Sequence, residues 1–239
     1  MSEYQGKELE LFEKAEHWKK YFASFILPYL RGNVLEVGAG IGGTTKILCD
    51  GRQTEWICLE PDESQISQIK SLIGSNKLPS YCKAIKGNLR NFSTHKLFDV
   101  ILYIDVIEHI EKDNEELRLA SQYLKPGGML IILVPALQWL FSPFDRAIGH
   151  YRRYTMATLR TITPASMVEK KMFYLDGVGV LASLVNKFIL KKSYPTPKQV
   201  YFWDKFIIPI SKKVDFFTRK IMGRTLIGIL EKSALIEIA

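Results

Sequence analysis

Cysteine is scarce in this chain. Its 239 residues include three, Cys49, Cys58 and Cys82, and none stands at the close spacing of a thiolate metal site. A disulfide framework is therefore excluded, and the three read as reduced core thiols of a cytosolic protein. No His/Cys cluster appears along the sequence, so no metal is expected. Long apolar runs are also missing. No stretch reaches the ~18–20 residues that a membrane-spanning helix needs. The opening residues, MSEYQGKE, lack the basic-then-apolar pattern of a secretory leader.

Composition is otherwise that of a globular protein, with 47% hydrophobic and 24% charged residues. The length suits one domain with a well-buried core. The net charge of +8 is concentrated: residues 187–220 hold nine basic and two acidic side chains, a local +7. Outside that segment the chain is close to neutral, so nucleic-acid binding by the whole protein is not expected.

The chain is organised around Val34-Leu35-Glu36-Val37-Gly38-Ala39-Gly40-Ile41-Gly42-Gly43-Thr44-Thr45. A short apolar strand breaks into glycines and continues as a helix through about residue 49. Such a turn lets backbone approach a ligand that a β-carbon would push away. Gly38, Gly40 and Gly43 also satisfy a dinucleotide pattern, but Glu36 argues against a pyrophosphate. A carboxylate at the strand end suits a ligand carrying an ammonium and a sulfonium, as S-adenosylmethionine does. At ~4 Å and an effective dielectric constant near 20, one such pair is worth roughly 4 kcal/mol before desolvation.

Apolar residues recur at helical spacing over residues 8–30, where His17 and Trp18 face either a ligand or the core. Residues 55–60 form a second strand ending in Glu60, 22 positions beyond Gly38, where an acid accepts from ribose hydroxyls. A helix is expected over 62–73, a third strand over 81–86, and a loop containing Asn88, which reads either an adenine edge or an ordinary turn. Residues 98–104 are almost wholly apolar, as in a parallel strand buried on both faces. Asp105-Val106-Ile107-Glu108-His109 follows, then a helix to residue 124, a turn at Lys125-Pro126-Gly127-Gly128, and a fifth strand over 129–134. This alternation predicts an α/β fold with a mostly parallel sheet and helices on both faces. Glu36, Glu60, Asn88 and Asp105 all follow strand ends, where such sheets bind ligands.

These motifs, with Leu59-Glu60-Pro61, Gly87-Asn88-Leu89 and Leu124-Lys125-Pro126-Gly127-Gly128, resemble in order and spacing those of class I S-adenosylmethionine-dependent methyltransferases over roughly residues 30–135. The resemblance implies a Rossmann-like seven-stranded sheet with an antiparallel last strand. It implies that Glu36 and the loop Gly38, Ala39, Gly40 and Gly42 hold the methionine part of S-adenosylmethionine. Glu60 and Pro61 would meet the ribose, Asn88 and Leu89 the adenine, and Asp105 and Val106 the region of the sulfonium. Asn88 replaces the aspartate commonest there. Residues 134–137 and 145–155 resemble the small-molecule branch of that family (the "methyltransferase type 11" group), some members of which serve glycan and natural-product pathways. Asp105-Val106-Ile107-Glu108 stands where the family's exocyclic-nitrogen and amide methylating members carry Asp-Pro-Pro-Tyr or Asn-Pro-Pro-Tyr, which argues against those acceptors.

Methyl transfer from a sulfonium is an in-line displacement, and a protonated oxygen or nitrogen acceptor calls for a general base. His109 and His150 are the candidates, His109 also reading as a pocket-lining residue. Tyr151, Arg152 and Arg153 with His150 suit an anionic acceptor; the competing reading is a loop packed back on the domain with its arginines salt-bridged. Thr155 reads as the N-cap of the next helix.

Residues 168–175 and 225–231 are expected as sixth and seventh strands. Between them, residues 177–190 form an apolar helix, and residues 198–220 interleave aromatics with lysines. This basic insertion, 177–222, reads as a helical cap over the acceptor pocket, as a surface resting on an anionic membrane, or as a core hairpin with a solvated face. The whole chain, 1–239, reads as one domain: N-terminal helices (1–30), cofactor core (31–135), acceptor segment (136–160) and cap. The expected function is methyl transfer to a small molecule. The alternatives are a non-catalytic S-adenosylmethionine- or nucleic-acid-binding module and, less favoured, a nicotinamide oxidoreductase.

Overall fold

Apolar side chains alternate along each central strand and so divide between two cores. Val34, Trp56, Cys58, Val100, Leu102 and Ile131 point to one face of the sheet. Leu35, Ile57, Leu59, Ile101, Tyr103 and Ile132 point to the other. Each fully buried aliphatic side chain contributes about 1.5–3 kcal/mol relative to exposure, which fixes strand register. The computed structural model describes residues 7–190, 194–218 and 220–234.

The strands are β1 (Gly32–Val37), β2 (Gln53–Glu60), β3 (Cys82–Lys86), β4 (Phe98–Ile104), β5 (Leu124–Pro135), β6 (Met167–Leu175) and β7 (Thr225–Lys232). They form one sheet in the order β3-β2-β1-β4-β5-β7-β6. The first five pair in parallel, and β7 runs antiparallel to both β5 and β6. The order reverses between β1 and β4, so a crevice opens beyond their carboxyl ends. This is the Rossmann-like arrangement expected from the sequence.

Helices flank the sheet: α1 (Lys7–Glu13), α2 (Glu16–Ile26), α3 (Thr45–Leu48), α4 (Glu63–Gly74), α5 (Asp113–Gln122), α6 (Pro143–Ala147), α7 (Met156–Ile162), α8 (Gly179–Val185), α9 (Pro197–Phe202) and α10 (Ile208–Phe217). Asp62 and Thr155 cap α4 and α7 by accepting from the backbone of Gln65 and Thr158. The helix after the glycine turn is a single turn, α3, rather than one running through residue 49. The helix after β4 starts at Asp113, because Ile107–His109 forms a separate 3₁₀ turn. Lys125-Pro126-Gly127-Gly128 belongs to β5, with Gly127 at φ +73° and a register shift absorbing the irregularity. Cys49 and Cys82 are not isolated in space, since their sulfurs lie 3.3 Å apart as free thiols.

The insertion after β6 is a helical cap. The stretch from α9 through a π-helical segment, Trp203–Ile207, to α10 is continuous helix. Pro209 lacks the N–H that would close an α turn onto Lys205, consistent with the local widening. Buried acids anchor the cap. Asp204 accepts from the backbone N–H groups of His17 and Trp18 at the start of α2. Asp215 accepts from the Tyr21 hydroxyl and the backbone of Asp176 and Gly177. Asp176 accepts from the Trp203 indole and the Ser211 hydroxyl. Lys191, Lys192 and Arg219 of the basic stretch lie outside the described residues. Among the described residues no helix is long and apolar enough to cross a membrane.

Candidate functional site

A cavity of about 230 Å³ lies beyond the carboxyl ends of β1 and β4. Its walls combine the glycine turn (Gly38, Ala39, Gly40), Glu36, Asp105, His109, His150 and Arg153 with Trp18 of α2 and Trp203 of the cap. Eight of the candidate residues thus come together from three separate parts of the chain, residues 36–40, 105–109 and 150–153.

Glu36 is 2% exposed. The Thr45 hydroxyl and the Trp56 indole N–H both donate to its Oε2, at 2.6 and 2.9 Å. Burial nevertheless pushes its carboxyl up to about 7, the two hydrogen bonds opposing the shift. The turn beside it spends its amides inside the protein. Gly38 and Ala39 donate to the Leu59 carbonyl at 2.8 and 3.3 Å. Gly40 donates to Glu60 Oε2 at 2.9 Å. A pyrophosphate needs free amides, whereas an ammonium needs acceptors. Glu36 and a turn whose first three amides are already bonded fit the second. Gly38 is required for packing: at φ +69° a β-carbon would lie 2.6 Å from Val106 Cγ2.

The opposite wall is a network of ionisable groups. Asp145, fully buried in its side chain, accepts from Arg153 Nε and Nη2 at 2.8 and 2.9 Å. Its Oδ1 lies 3.0 Å from His150 Nδ1. Despite burial, the His150 and Arg153 hydrogen bonds hold Asp145 below the usual carboxylate range. In the neutral imidazole, an ionised Asp145 favours the tautomer with the proton on Nδ1 and the lone pair on Nε2. Nε2 stands 3.7 Å from Glu108 Oε1. Glu108 is fully buried, neither oxygen has a hydrogen-bond partner among the described residues, and burial raises its carboxyl well above the ordinary range. The His109 ring meets His150 edge-on at 4.5 Å. Burial and the neighbouring His150 lower His109 to about 4, so it is neutral at neutral pH. Asp105, at φ +54°, is accessible from the cavity, yet surrounding protein desolvates its carboxyl and raises it to about 6.

Glu108, His109 and His150 bring one ligand-type atom each within 4.8 Å of one another. The absence of a linear metal motif gave no hint of this cluster, which folding assembles from two loops.

Other expected site residues stand elsewhere. Glu60 is buried at the end of β2 with its oxygens accepting from Gly40 and Asp62. Gly42 packs toward Leu72 and Ile69. Leu89 is a fully buried core residue and Pro61 is exposed. Asn88 Oδ1 accepts from the backbone of Arg90 and Asn91 at 3.1 and 3.2 Å, bonds of a turn, and the residue is exposed. Val106 packs against Gly38 outside the cavity lining. Tyr151 is half exposed, and Arg152 is held by Asp113 Oδ2 at 2.6 Å; neither lines the cavity. Residues 149–154 do pack back on the domain, with Tyr151 donating its N–H to the Glu108 carbonyl at 2.8 Å. Asp145, Lys19, Trp203 and Arg224 also line the cavity and were not singled out by sequence reasoning. Trp203 and Arg224 meet Asp176, distant in the chain, whereas Asp145 meets His150 and Arg153 only five and eight positions on, a spacing that is no recognised motif.

Comparison with known proteins bears on the family and the fold. A family model described as a methyltransferase domain matches residues 9–168. The chain is 26% identical over 115 residues to the mitochondrial ubiquinone biosynthesis O-methyltransferase of Dictyostelium discoideum, covering 44% of this chain and 36% of that protein. It is 25% identical over 154 residues to the ubiquinone biosynthesis O-methyltransferase of Rickettsia canadensis (strain McKiel), covering 55% and 64%. The match therefore spans less than two thirds of either relative. The N-methyltransferase NodS from Bradyrhizobium japonicum WM9, solved with S-adenosyl-L-homocysteine, shares the fold with a TM-score of 0.56 at 14% identity, over 92% of this chain and 87% of that one. The chain belongs to the class I S-adenosylmethionine-dependent methyltransferase family.

Proposed function

We propose that the chain transfers a methyl group from S-adenosylmethionine to a small-molecule acceptor in the cavity between Glu36 and His150. The observation that carries this reading is the pairing of a buried carboxylate beside an amide-poor glycine turn with a His150–Asp145 pair on the facing wall. When bound, S-adenosylmethionine supplies a methyl already activated on sulfur. Glu36 would accept from its ammonium, with the carbonyls of the Gly38–Gly40 turn beside it. Glu60 would accept from a ribose hydroxyl through the lone pairs its backbone bonds leave. Asp105 would stand near the positive sulfur.

The protein's further task is to hold the acceptor in line in a site closed by Trp18, Phe144 and Trp203, where orientation lowers the barrier by several kcal/mol. His150, aligned by Asp145, would take the acceptor's proton at Nε2. His109 would line the pocket as a neutral ring, and Arg153 would orient an acceptor bearing negative charge. An anionic acceptor from a glycan or lipid pathway fits this wall. Lysines and exposed aromatics along residues 198–217 support peripheral contact of the cap with an anionic membrane surface.

The test is transfer of labelled methyl to hydroxyl- and carboxyl-bearing acceptors. His150→Gln should lower kcat by about 10²–10⁴ while leaving S-adenosylmethionine affinity within about twofold. An unchanged kcat would remove the base from His150.

A further inference from the structure

A second cavity of about 550 Å³, more than twice the first, lies between the cap and α6. Phe12, Phe144, Arg153, Trp203 and Arg224 line both, so the two adjoin along one layer of side chains. Their chemistry differs. The first contains Glu36, Asp105, Glu108 and Asp145. Among the described residues the second has no acidic residue in its lining, and its charged members are Arg153, Lys198 and Arg224. The rest is largely apolar, including Leu140, Val185, Val200 and Ile207. Two of its lining residues, Val185 and Phe202, are also 45% and 55% exposed, so the cavity reaches the surface between α8 and α9.

We propose that this second cavity holds the apolar tail of the methyl acceptor, which is an amphiphile. This rests on the first cavity being the transfer site. The reacting head lies against His150 and Arg153, and the tail passes the Phe12–Phe144–Trp203 layer into the second cavity. A tail longer than that cavity leaves between Val185 and Phe202. The division of charge supports the assignment. Acids concentrate where a sulfonium and an ammonium are needed, and none stands beside the apolar walls, where an unpaired buried carboxylate would be costly. A water-soluble acceptor has no use for an apolar chamber of this size adjoining its site.

The experiment is calorimetric titration of the full chain with straight-chain alkanoates from hexanoate to dodecanoate. Burial of each methylene should tighten binding about three- to fourfold. Ser183→Trp places a large ring in the second cavity without touching the first, and should flatten that dependence. Val185→Glu, at an exposed rim position, should weaken the longest chains most and serves if the first variant misfolds. A chain-length dependence absent from the wild type, or unchanged in both variants, overturns the proposal. S-adenosylmethionine titrated into the same preparations separates the two readings. Its normal binding without alkanoate dependence overturns the tail site alone. Alkanoate dependence without its binding overturns the transfer-site reading and, with it, the assignment of the tail to a methyl acceptor.

Discussion

Glu36→Gln should stabilise the free protein and cripple its recognition of the methyl donor. The Glu36 carboxyl titrates near 4.5 when unfolded and is pushed to about 7 by burial. Below about pH 4.5 it is neutral in both states and costs nothing. As pH rises through 7 the folded state must hold a desolvated carboxylate, and stability falls. A shift of this size corresponds to roughly 3 kcal/mol as an upper bound. Glutamine keeps a carbonyl for Thr45 and Trp56 and does not ionise. The stability gain of the variant should therefore grow from near zero at pH 4.5 to as much as about 3 kcal/mol at pH 8. For a chain of this length that is about 6–12 °C in Tm. In the same variant S-adenosylmethionine should bind up to about a thousandfold more weakly, reflecting one lost charge pair. For the wild type, affinity should fall toward tenfold per pH unit below 7 as Glu36 protonates. It should fall again above about pH 8, where an α-amino group loses its proton. Denaturation across pH 4.5–8 and calorimetry at matched pH check both halves. A variant less stable than wild type at pH 8, with an unaltered pH profile of binding, would refute the reasoning.

Three further outcomes follow from the geometry. Gly38→Ala should cost more than about 1 kcal/mol, from a positive φ and the collision with Val106, and Val106→Ala in the same chain should recover part of that loss in urea denaturation. Asp145→Asn leaves Arg153 buried without its counter-charge and should destabilise by about 3–5 kcal/mol at neutral pH. Because Asp145 is held below its unfolded range, this stability is present above about pH 4 and fades only in acid, so the wild-type and variant denaturation curves should converge there. Trp203→Ala removes the hydrogen bond to Asp176 and the rings packed on Phe12 and Trp18, and should cost about 3–5 kcal/mol by calorimetric unfolding.

The sheet was legible in the sequence because each buried strand is a dense apolar run closed by a polar residue. Phe98–Ile104 and the strand leading to Glu36 carry that signal within a few residues. Helix limits were less legible. Asp113 begins α5 only after a separate turn at Ile107–His109, and that choice depends on Glu108 and Tyr151 meeting across the fold. In the site, Glu36, Gly38, Ala39, Gly40, Asp105, His109, His150 and Arg153 reach the cavity. Tyr151 and Arg152 do not, since the backbone alternates direction and Arg152 is drawn away to Asp113. Asp145 could not be found by pattern alone, because its role exists only once His150 and Arg153 fold over it. The same holds for Asp176, Asp204 and Asp215. In the sequence they are stray acids in or beside a basic segment, and in the fold they fasten the cap to α2 and β6.

The central claim is that the crevice between Glu36 and His150 binds S-adenosylmethionine. Calorimetric titration of the purified chain with S-adenosylmethionine, S-adenosylhomocysteine and NADH tests it most directly. The account predicts saturable binding of the first two and none of the third, with affinity for both lost in Glu36→Gln. Binding of NADH, or binding of neither sulfur ligand by a folded chain, would contradict it.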